Sequence, residues 1–275
     1  MTEKLLWSAR DLQLRSRDGE TYFIKSLEIR AGERIALLGS NRDFRRSCFR
    51  TLGGLEAPLA GELSVEGEIV PKRSERHPWR DLFSKKLRRK FGVSLESEGL
   101  LSNITIRECL ETLFRFKYGD HNAGLVEGAS RIVDETALRV GLSAATLSQR
   151  PAELGRLELR LASLCLAFLT KPAILLMENP SQGLHDRGWQ ALSETLTDIL
   201  DSSKRTLVMD TDDWLLAKRH AARWVVFEGE TIVFDGPAED YALRSGQALL
   251  AELESERWRG RHAWINELRK NTGAA

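Results

Sequence analysis

The sequence is short of cysteine, and this shortage excludes two classes of protein. Only 3 of its 275 residues are cysteine, and Cys48, Cys109 and Cys165 each stand alone in apolar surroundings. Disulfide frameworks and zinc sites need several cysteines at short, regular spacings. The sequence therefore predicts three buried thiols in a reducing compartment, with no cysteine-based metal site.

Net charge and long apolar runs are lacking as well. Lysine and arginine number 41 against 40 acidic residues, a formal net charge of +1, whereas nucleic-acid-binding domains carry a basic excess. We therefore expect no nucleic-acid partner. The longest nearly uncharged run, 161–177, is interrupted by Lys171 and Pro172 and is shorter than the about 20 residues that span a bilayer. The N-terminus MTEKLLWSAR also lacks the apolar core of a signal peptide, so we expect a cytoplasmic or peripheral chain.

The residues that are present alternate between strand-like and helix-like patterns. Short apolar runs separated by turn signals over 4–37 predict an antiparallel lead-in to a sheet. Helical periodicity extends over about 104–149. The other predicted elements are a hairpin at 61–70, strands at 91–95, 173–177 and 206–210, helices at 157–169, 187–201 and 213–221, and a hairpin at 224–236. Strands alternating with helices predict an α/β fold with a mostly parallel sheet.

One segment, GSNRDFRRS at 39–47, follows a buried strand and precedes a predicted helix that begins at Cys48. This is where a phosphate-binding P-loop, G-x-x-x-x-G-K-[ST], is expected. Gly39 opens the pattern, but Phe44 replaces the second glycine, Arg45 the lysine and Arg46 the hydroxyl residue. A phenylalanine is disfavoured at φ > 0, and its ring is expected to intrude on the phosphate volume. The predicted loop comprises these residues together with Ser40, Asn41 and Ser47.

Six segments in a fixed order resemble the ATP-binding subunit of ABC transporters: AGERIALLGS, FGVSLESEGLLSNITIRE, RPAELGRLELR, KPAILLMENPSQGLHD, VMDTDD and FEGETIVFDGPAEDY. The resemblance covers about residues 4–245. It implies a P-loop NTPase-like fold with a helical insertion at about 104–160, in a domain over 1–245. Residues 246–275 are then a charged helical tail. The segment at 99–108 also resembles the lipid-transport (Mla/MCE-type) branch.

The resemblance implies that the catalytic positions are altered. The family glutamine that senses magnesium corresponds to Glu96, and the aspartate that holds magnesium corresponds to Glu178. Both carboxylates are candidate metal ligands. The glutamate that polarises the attacking water corresponds to Asn179, and an amide cannot accept a proton. The switch histidine corresponds to Asp212 and the D-loop aspartate to His185, so charges used in phosphoryl transfer are removed or inverted.

The signature helix is altered in the same way. The family writes L-S-G-G-Q, and this chain has Leu154 followed by Gly155, Arg156, Leu157 and Glu158. A long cation and a branched apolar side chain replace the glycines that approach a nucleotide held by the partner subunit. With both loop and signature altered in one chain, pairing with a normal subunit damages both composite sites. A homodimer would then have no intact site.

Several alternatives remain open for single residues. Arg45 is either a surface cation or a phosphate contact, because arginine pairs with phosphate oxygens in bidentate fashion. Glu178 is either a solvated carboxylate or a vestigial metal ligand. Asp212 and Asp213 are equally suited to cap the helix at 213–221. His185 is expected to be an exposed loop residue.

The sequence thus predicts a non-hydrolysing ABC ATPase-like subunit with a structural or regulatory role. We expect no assured cofactor and a weakened affinity for Mg-ATP. The expected partners are an integral membrane permease, an active ABC ATPase homologue, or both, in a dimer on the inner face of the cytoplasmic membrane. Two alternatives stay open: an ATP-hydrolysing transport subunit with non-consensus motifs, and a soluble sensor that binds an anion at Arg42, Arg45 and Arg46.

Overall fold

A computed structural model describes residues 4–16, 18–72, 82–96, 99–118, 128–202 and 204–244. The predicted tail at 246–275 lies outside these ranges. The described chain forms two sheets and a set of helices, as the apolar patterning predicts. The strands are β1 (Leu5–Arg15), β2 (Thr21–Arg30), β3 (Arg34–Gly39), β4 (Ala60–Val65), β5 (Glu68–Ile69), β6 (Phe91–Ser94), β7 (Ile174–Glu178), β8 (Thr206–Asp210), β9 (Arg223–Glu228) and β10 (Thr231–Pro237).

The described helices follow the same order along the chain. They are α1 (Arg42–Leu52), α2 (Lys85–Arg88), α3 (Ile106–Tyr118), α4 (Ala129–Arg139), α5 (Ala144–Leu147), α6 (Arg156–Phe168), α7 (Asp186–Asp201), α8 (Trp214–His220) and α9 (Ala238–Arg244), with a 3₁₀ turn at Pro151–Glu153. Most bounds lie within two residues of the predicted elements. The exception is α1, which begins six residues before its predicted start.

The larger sheet has six strands in the order β10-β9-β3-β8-β7-β6. Its pairs are parallel except for β9 with β10, which form the predicted C-terminal hairpin. The central strands are nearly continuous apolar runs because helices cover both faces, as is usual for parallel sheets. The predicted α/β fold with a mostly parallel sheet is confirmed.

The smaller sheet is antiparallel, in the order β2-β1-β4-β5. Its apolar face packs with helix α1 and one face of the larger sheet in a single core. A second core joins α3, α4 and α6 to the opposite face of the larger sheet, around residues such as Leu110, Val133 and Leu164. The three cysteines are all buried and unpaired with one another. Within the described ranges no helix is both long enough and apolar enough to cross a membrane.

The parallel topology places the candidate site. The carboxyl ends of β3, β7 and β8 meet at one edge of the larger sheet, because neighbouring parallel strands end on the same side. Glu178 ends β7 and lies in register with Asp210, which ends β8. Helix α1 starts from the same edge directly after β3. Ligands of open α/β sheets bind at such carboxyl ends.

Candidate functional site

The predicted phosphate loop is largely helical. Only Ser40 and Asn41 separate β3 from α1, so the sequence prediction of a loop extending to residue 47 is wrong. Asn41 caps the helix, and its side-chain oxygen accepts a hydrogen bond from the backbone N–H of Phe44 at 3.0 Å. The N–H of Arg45 donates to the carbonyl of Asn41, and that of Arg42 to the carbonyl of Ser40. Backbone donors that would surround a phosphate are therefore used within the chain itself.

Gly39 keeps a backbone geometry that only glycine adopts easily. Its φ is +113°, and a Cβ built on it would lie 2.0 Å from the carbonyl oxygen of Phe227 on the neighbouring strand. Gly39 and Phe227 are paired in the parallel ladder between β3 and β9. The glycine is thus required by the sheet, whatever binds beyond it.

Phe44 lies in the protein core, and the prediction that its ring fills the phosphate volume is wrong. The ring is fully buried, stacked on Tyr22 at a centroid distance of 4.7 Å and packed edge-on against Phe227 at the same distance. Because residue 44 is inside α1, it needs no positive φ. The side chain that replaces the second glycine acts as an apolar anchor between the two sheets.

Arg45 is neither a surface cation nor free for a phosphate, contrary to both sequence alternatives. Its side chain is 2% exposed, and Nε donates to Oδ1 of Asp210 at 3.0 Å. It also donates to the carbonyl of Gly39. Burial raises the pKa of Asp210 to about 6, while Arg45 lowers it and the charge of Glu178 raises it further. Arg45 therefore neutralises a buried carboxyl group of the protein itself.

Arg46 forms an ion pair with Glu178, as Arg45 does with Asp210. Its Nε lies 2.8 Å from Oε1 of this buried carboxylate, as an ion pair whose atoms are not aligned for a hydrogen bond. Arg50 lies 3.6 Å from the same oxygen. Of the two alternatives for Glu178, the solvated carboxylate is wrong. In place of the hydroxyl that would help hold magnesium, the chain places a guanidinium against the carboxylate that was predicted to bind the metal.

Glu96 is bound by three other parts of the chain. Both oxygens of its carboxylate accept hydrogen bonds from Nη2 of Arg42, at 2.6 and 2.7 Å. Its backbone N–H donates to Glu178 at 3.2 Å, and its carbonyl accepts from the buried Arg160 of α6 at 2.5 Å. Each of Arg42, Arg45 and Arg46 thus faces a carboxylate, so the cluster is not a bare anion site.

Asn179 occupies the turn after β7 in a left-handed conformation, with φ of +48°. Its N–H donates to the carbonyl of Asp210 at 2.7 Å, and its side-chain amide donates to Gln182 at 2.6 Å. Its buried Oδ1 has no hydrogen-bond partner. A carboxamide in this place offers no base for activating water.

The remaining predicted residues lie nearby. Asp213, not Asp212, caps α8, and it also accepts hydrogen bonds from Ser181 and Trp189 at 2.8 and 2.7 Å. His185 is exposed and caps α7, so it is a helix cap at the end of the loop. Ser47 is buried and donates to the carbonyl of Arg15 at 3.1 Å, away from the sheet edge.

The altered signature begins α6. Gly155 is the N-cap without a side-chain cap, and Arg156 is exposed next to Gly183 in the loop that follows β7. The carboxylate of Glu158 lies next to Gly155, 2.6 Å from the place that a Cβ on Gly155 would occupy. Leu157 is half-buried and packs against the helical core. The helix start therefore carries a cation and a branched apolar side chain in place of the two glycines, and an anion in place of the glutamine.

These residues do not fit a magnesium–nucleotide complex. A magnesium ion needs carboxylate, hydroxyl or water oxygens in octahedral geometry, whereas Glu178 and Asp210 already neutralise arginines. Among the described residues there is also no group of three or more His, Cys, Asp or Glu side chains placed to hold a metal ion. Sequence reasoning missed Asp210 and Arg160 as members of the site. A carboxylate at the end of a central parallel strand was the signal for the first.

Comparison with known proteins agrees with the fold. The chain is 27% identical over 228 residues to the Fe(3+) ions import ATP-binding protein FbpC of Mesorhizobium japonicum, covering 82% of this chain and 59% of that protein. It is 27% identical over 227 residues to the lipoprotein-releasing system ATP-binding protein LolD of Pseudomonas fluorescens, covering 80% and 93%. The chain thus spans less than two thirds of the iron-importer subunit. No family model matches it.

Solved structures give the same picture. The dimeric ATP-binding cassette MJ0796, in a post-hydrolysis state bound to ADP and Pi, superposes with a TM-score of 0.72 at 18% identity, covering 85% of this chain and 99% of that one. The cbiO1 protein of Clostridium perfringens, part of the transporter complex cbiONQ, superposes with a TM-score of 0.70 at 16% identity, covering 94% and 98%. These likenesses establish the fold.

Proposed function

Because the chain has the ABC ATPase cassette fold and its relatives are ATP-binding subunits of transporters, we propose that it is a non-hydrolysing subunit of a membrane transport complex. The relatives named above are ATP-binding proteins of import and release systems. The observation that carries the proposal is the pairing of Arg45 with Asp210 and of Arg46 with Glu178. The cassette scaffold is retained while its nucleotide-facing edge is neutralised from within.

The chemistry of hydrolysis supports this reading. Phosphoryl transfer depends on a cation that bridges the phosphates and on a residue that orients the attacking water. Glu178, a predicted metal ligand, and Asp210 are each paired with a guanidinium group. Asn179 provides an amide where a carboxylate is needed. Loss of a positioned general base alone removes a factor of about 10²–10⁴ in rate.

A groove beside strand β6 suits a protein partner. It encloses about 850 Å³ between the sheet edge at β6 and the helix α3. Apolar side chains line it together with four basic residues, and Phe116 at one side is 87% exposed. Gly99, after strand β6, also contributes to this lining. We assign the groove to a segment of the membrane subunit, and the dimer partner to an ATPase homologue or a second copy.

A Mg-ATP titration of the purified protein tests the loss of nucleotide binding. The intrinsic fluorescence of its seven tryptophans and a thermal shift provide two independent readouts. We expect no saturable change in either up to millimolar Mg-ATP, and no phosphate release. A catalytically active cassette measured in parallel is the positive control. Saturable micromolar binding to this chain would refute the proposal for nucleotide, and steady phosphate release would refute it for hydrolysis.

Affinity purification from membranes solubilised in mild detergent tests the structural role. We expect the chain to carry an integral membrane protein, an ABC ATPase homologue, or both. A chain that is recovered alone under conditions that keep a known transporter assembled would contradict the assignment to a transport complex.

A further inference from the structure

Glu96 stands where the last strand of the larger sheet continues towards the helices α3 and α4. Its carboxylate, its backbone N–H and its backbone carbonyl are all occupied. Arg42 of α1 holds the carboxylate, Glu178 of β7 accepts from the N–H, and Arg160 of α6 donates to the carbonyl. One residue thus joins three elements that are far apart in sequence. We call this set the Glu96 junction.

Arg160 extends the junction to a second loop. It is 4% exposed, and besides the carbonyl of Glu96 its guanidinium reaches the carbonyl of Gln182 at 3.4 Å. Gln182 in turn accepts from the side chain of Asn179 at 2.6 Å. The connection after β6 and the turn after β7 are therefore held by the same buried side chain. Hydrogen bonds that join two loops in this way favour one arrangement of the chain over others, even though Oδ1 of Asn179 has no hydrogen-bond partner.

Resting on the proposed function, we propose that the Glu96 junction fixes the helices α3, α4 and α6 against the larger sheet without any nucleotide. The junction uses the chain's own arginines to connect α1 with the segment after β6 and with α6. A subunit built in this way presents the same helical face and the same groove to its partner in the presence and in the absence of Mg-ATP. Its association with the partner is then independent of nucleotide.

Amide hydrogen exchange of the full chain tests this proposal through two variants. Arg42→Ala removes the donor, and Glu96→Gln keeps the shape but removes the charge. In nucleotide-free buffer we expect exchange of residues 95–96 and of the first turn of α3 to accelerate by up to about fivefold, the size expected for one partly exposed ion pair. Exchange of β8 should stay unchanged. Arg42→Lys should restore part of the protection, because a single charged donor remains.

Arg131→Ala is the matched control. Arg131 lies on α4, is 83% exposed and pairs with Glu135 at 3.1 Å, so its loss removes an exposed ion pair from the helical region outside the junction. Exchange near Glu96 should not change in this variant. Wild-type rates near Glu96 in both Arg42→Ala and Glu96→Gln would overturn the junction.

The same experiment separates the junction from the proposed function. Adding Mg-ATP to the wild-type protein should leave exchange at residues 95–96 and in α3 unchanged. Protection that increases with Mg-ATP would refute the loss of nucleotide binding and the nucleotide independence. The comparison of variants in nucleotide-free buffer would still decide whether the junction holds the helical region. Should Arg42→Ala lower protection throughout the protein, Glu96→Gln, which changes no side-chain volume, gives the local result.

Discussion

The Nε atom of Arg45 lies 3.0 Å from Oδ1 of Asp210, and both side chains are nearly excluded from solvent. The two residues are 165 positions apart, on the first helix and at the end of a central strand. The position that corresponds to the lysine of the P-loop pattern thus holds an internal ion pair. The pair explains how a buried carboxyl group is tolerated at the edge of the sheet.

Removing Arg45 should destabilise the fold strongly. Arg45→Met leaves Asp210 buried without its cation, and breaking a buried pair on one side costs about 3–5 kcal/mol. Urea unfolding followed by far-UV circular dichroism measures the free energy of unfolding. The double variant Arg45→Met/Asp210→Leu should recover much of the loss, because it leaves no unpaired charge. A loss below about 1 kcal/mol in the single variant would contradict the ion pair.

Asp210 should make the protein less stable as the pH rises through mildly acidic values. Burial raises its pKa from 3.8 to about 6, so between these values the native state holds more protons at this site than the unfolded chain does. Stability from this group is therefore lost between about pH 4 and pH 6. As the pH rises over that range, the free energy of unfolding of the wild type should fall relative to that of Asp210→Asn. A difference that is constant with pH would show that Asp210 titrates normally.

His220 should act in the opposite direction over nearly the same range. Burial lowers its pKa from 6.5 to about 4, with Arg219 and Arg34 adding to the effect, and its ring is hydrogen-bonded to the buried Ser193 at 2.9 Å. The unfolded chain then binds more protons, so stability from this group is lost as the pH falls from about 6.5 to 4. The advantage of wild type over His220→Phe should increase as the pH rises. Measuring each variant against wild type separates the two opposing contributions.

Restoring the glycine at position 44 should harm the protein without restoring nucleotide binding. Phe44→Gly removes a fully buried ring, which costs about 3–5 kcal/mol for comparable truncations, and adds a glycine inside a helix. Denaturant unfolding gives the loss, and the Mg-ATP titration gives the binding. Phe23→Ala, at a ring that is 52% exposed, serves as the control and should cost far less. Gain of micromolar Mg-ATP binding in Phe44→Gly would mean that the ring alone blocks the site.

The groove should lose its partner when Phe116 is made acidic. Phe116 is 87% exposed, so Phe116→Glu is expected to change the free energy of unfolding by no more than about 0.5 kcal/mol. Recovery of a membrane partner in affinity purification should fall severalfold. Leu138→Glu, on α4 and 81% exposed but outside the groove lining, is the matched control and should not affect recovery. Equal recovery in both variants would place the partner elsewhere.

Sequence patterns were sufficient for the sheet and most helices, because apolar periodicity reports burial directly. They failed at α1, where the expected motif was given more weight than local signals. Asn41 is a favoured helix cap, and Phe44 and Cys48 have the i, i+4 spacing of a buried helical face. Those residues predict a helix from residue 42 when they are considered without the motif.

The partners in the buried ion pairs could not be predicted from the sequence, for a different reason. Arg45 and Asp210, like Arg46 and Glu178, become neighbours only after the parallel strands have aligned their ends. Local spacing holds no information on which arginine meets which carboxylate. The same applies to Arg160. An arginine in an amphipathic helix is expected on the exposed face, and the sequence does not show that this one is buried.

Gly39 is required by the sheet independently of any ligand. Its Cβ-free backbone is needed where β3 passes the carbonyl of Phe227, so any side chain there would push two central strands apart. The need for a foldable sheet is enough to keep a glycine at this position, whether or not the chain binds a nucleotide. A glycine at this position is therefore evidence of the fold. In related chains it should be counted separately from evidence of activity.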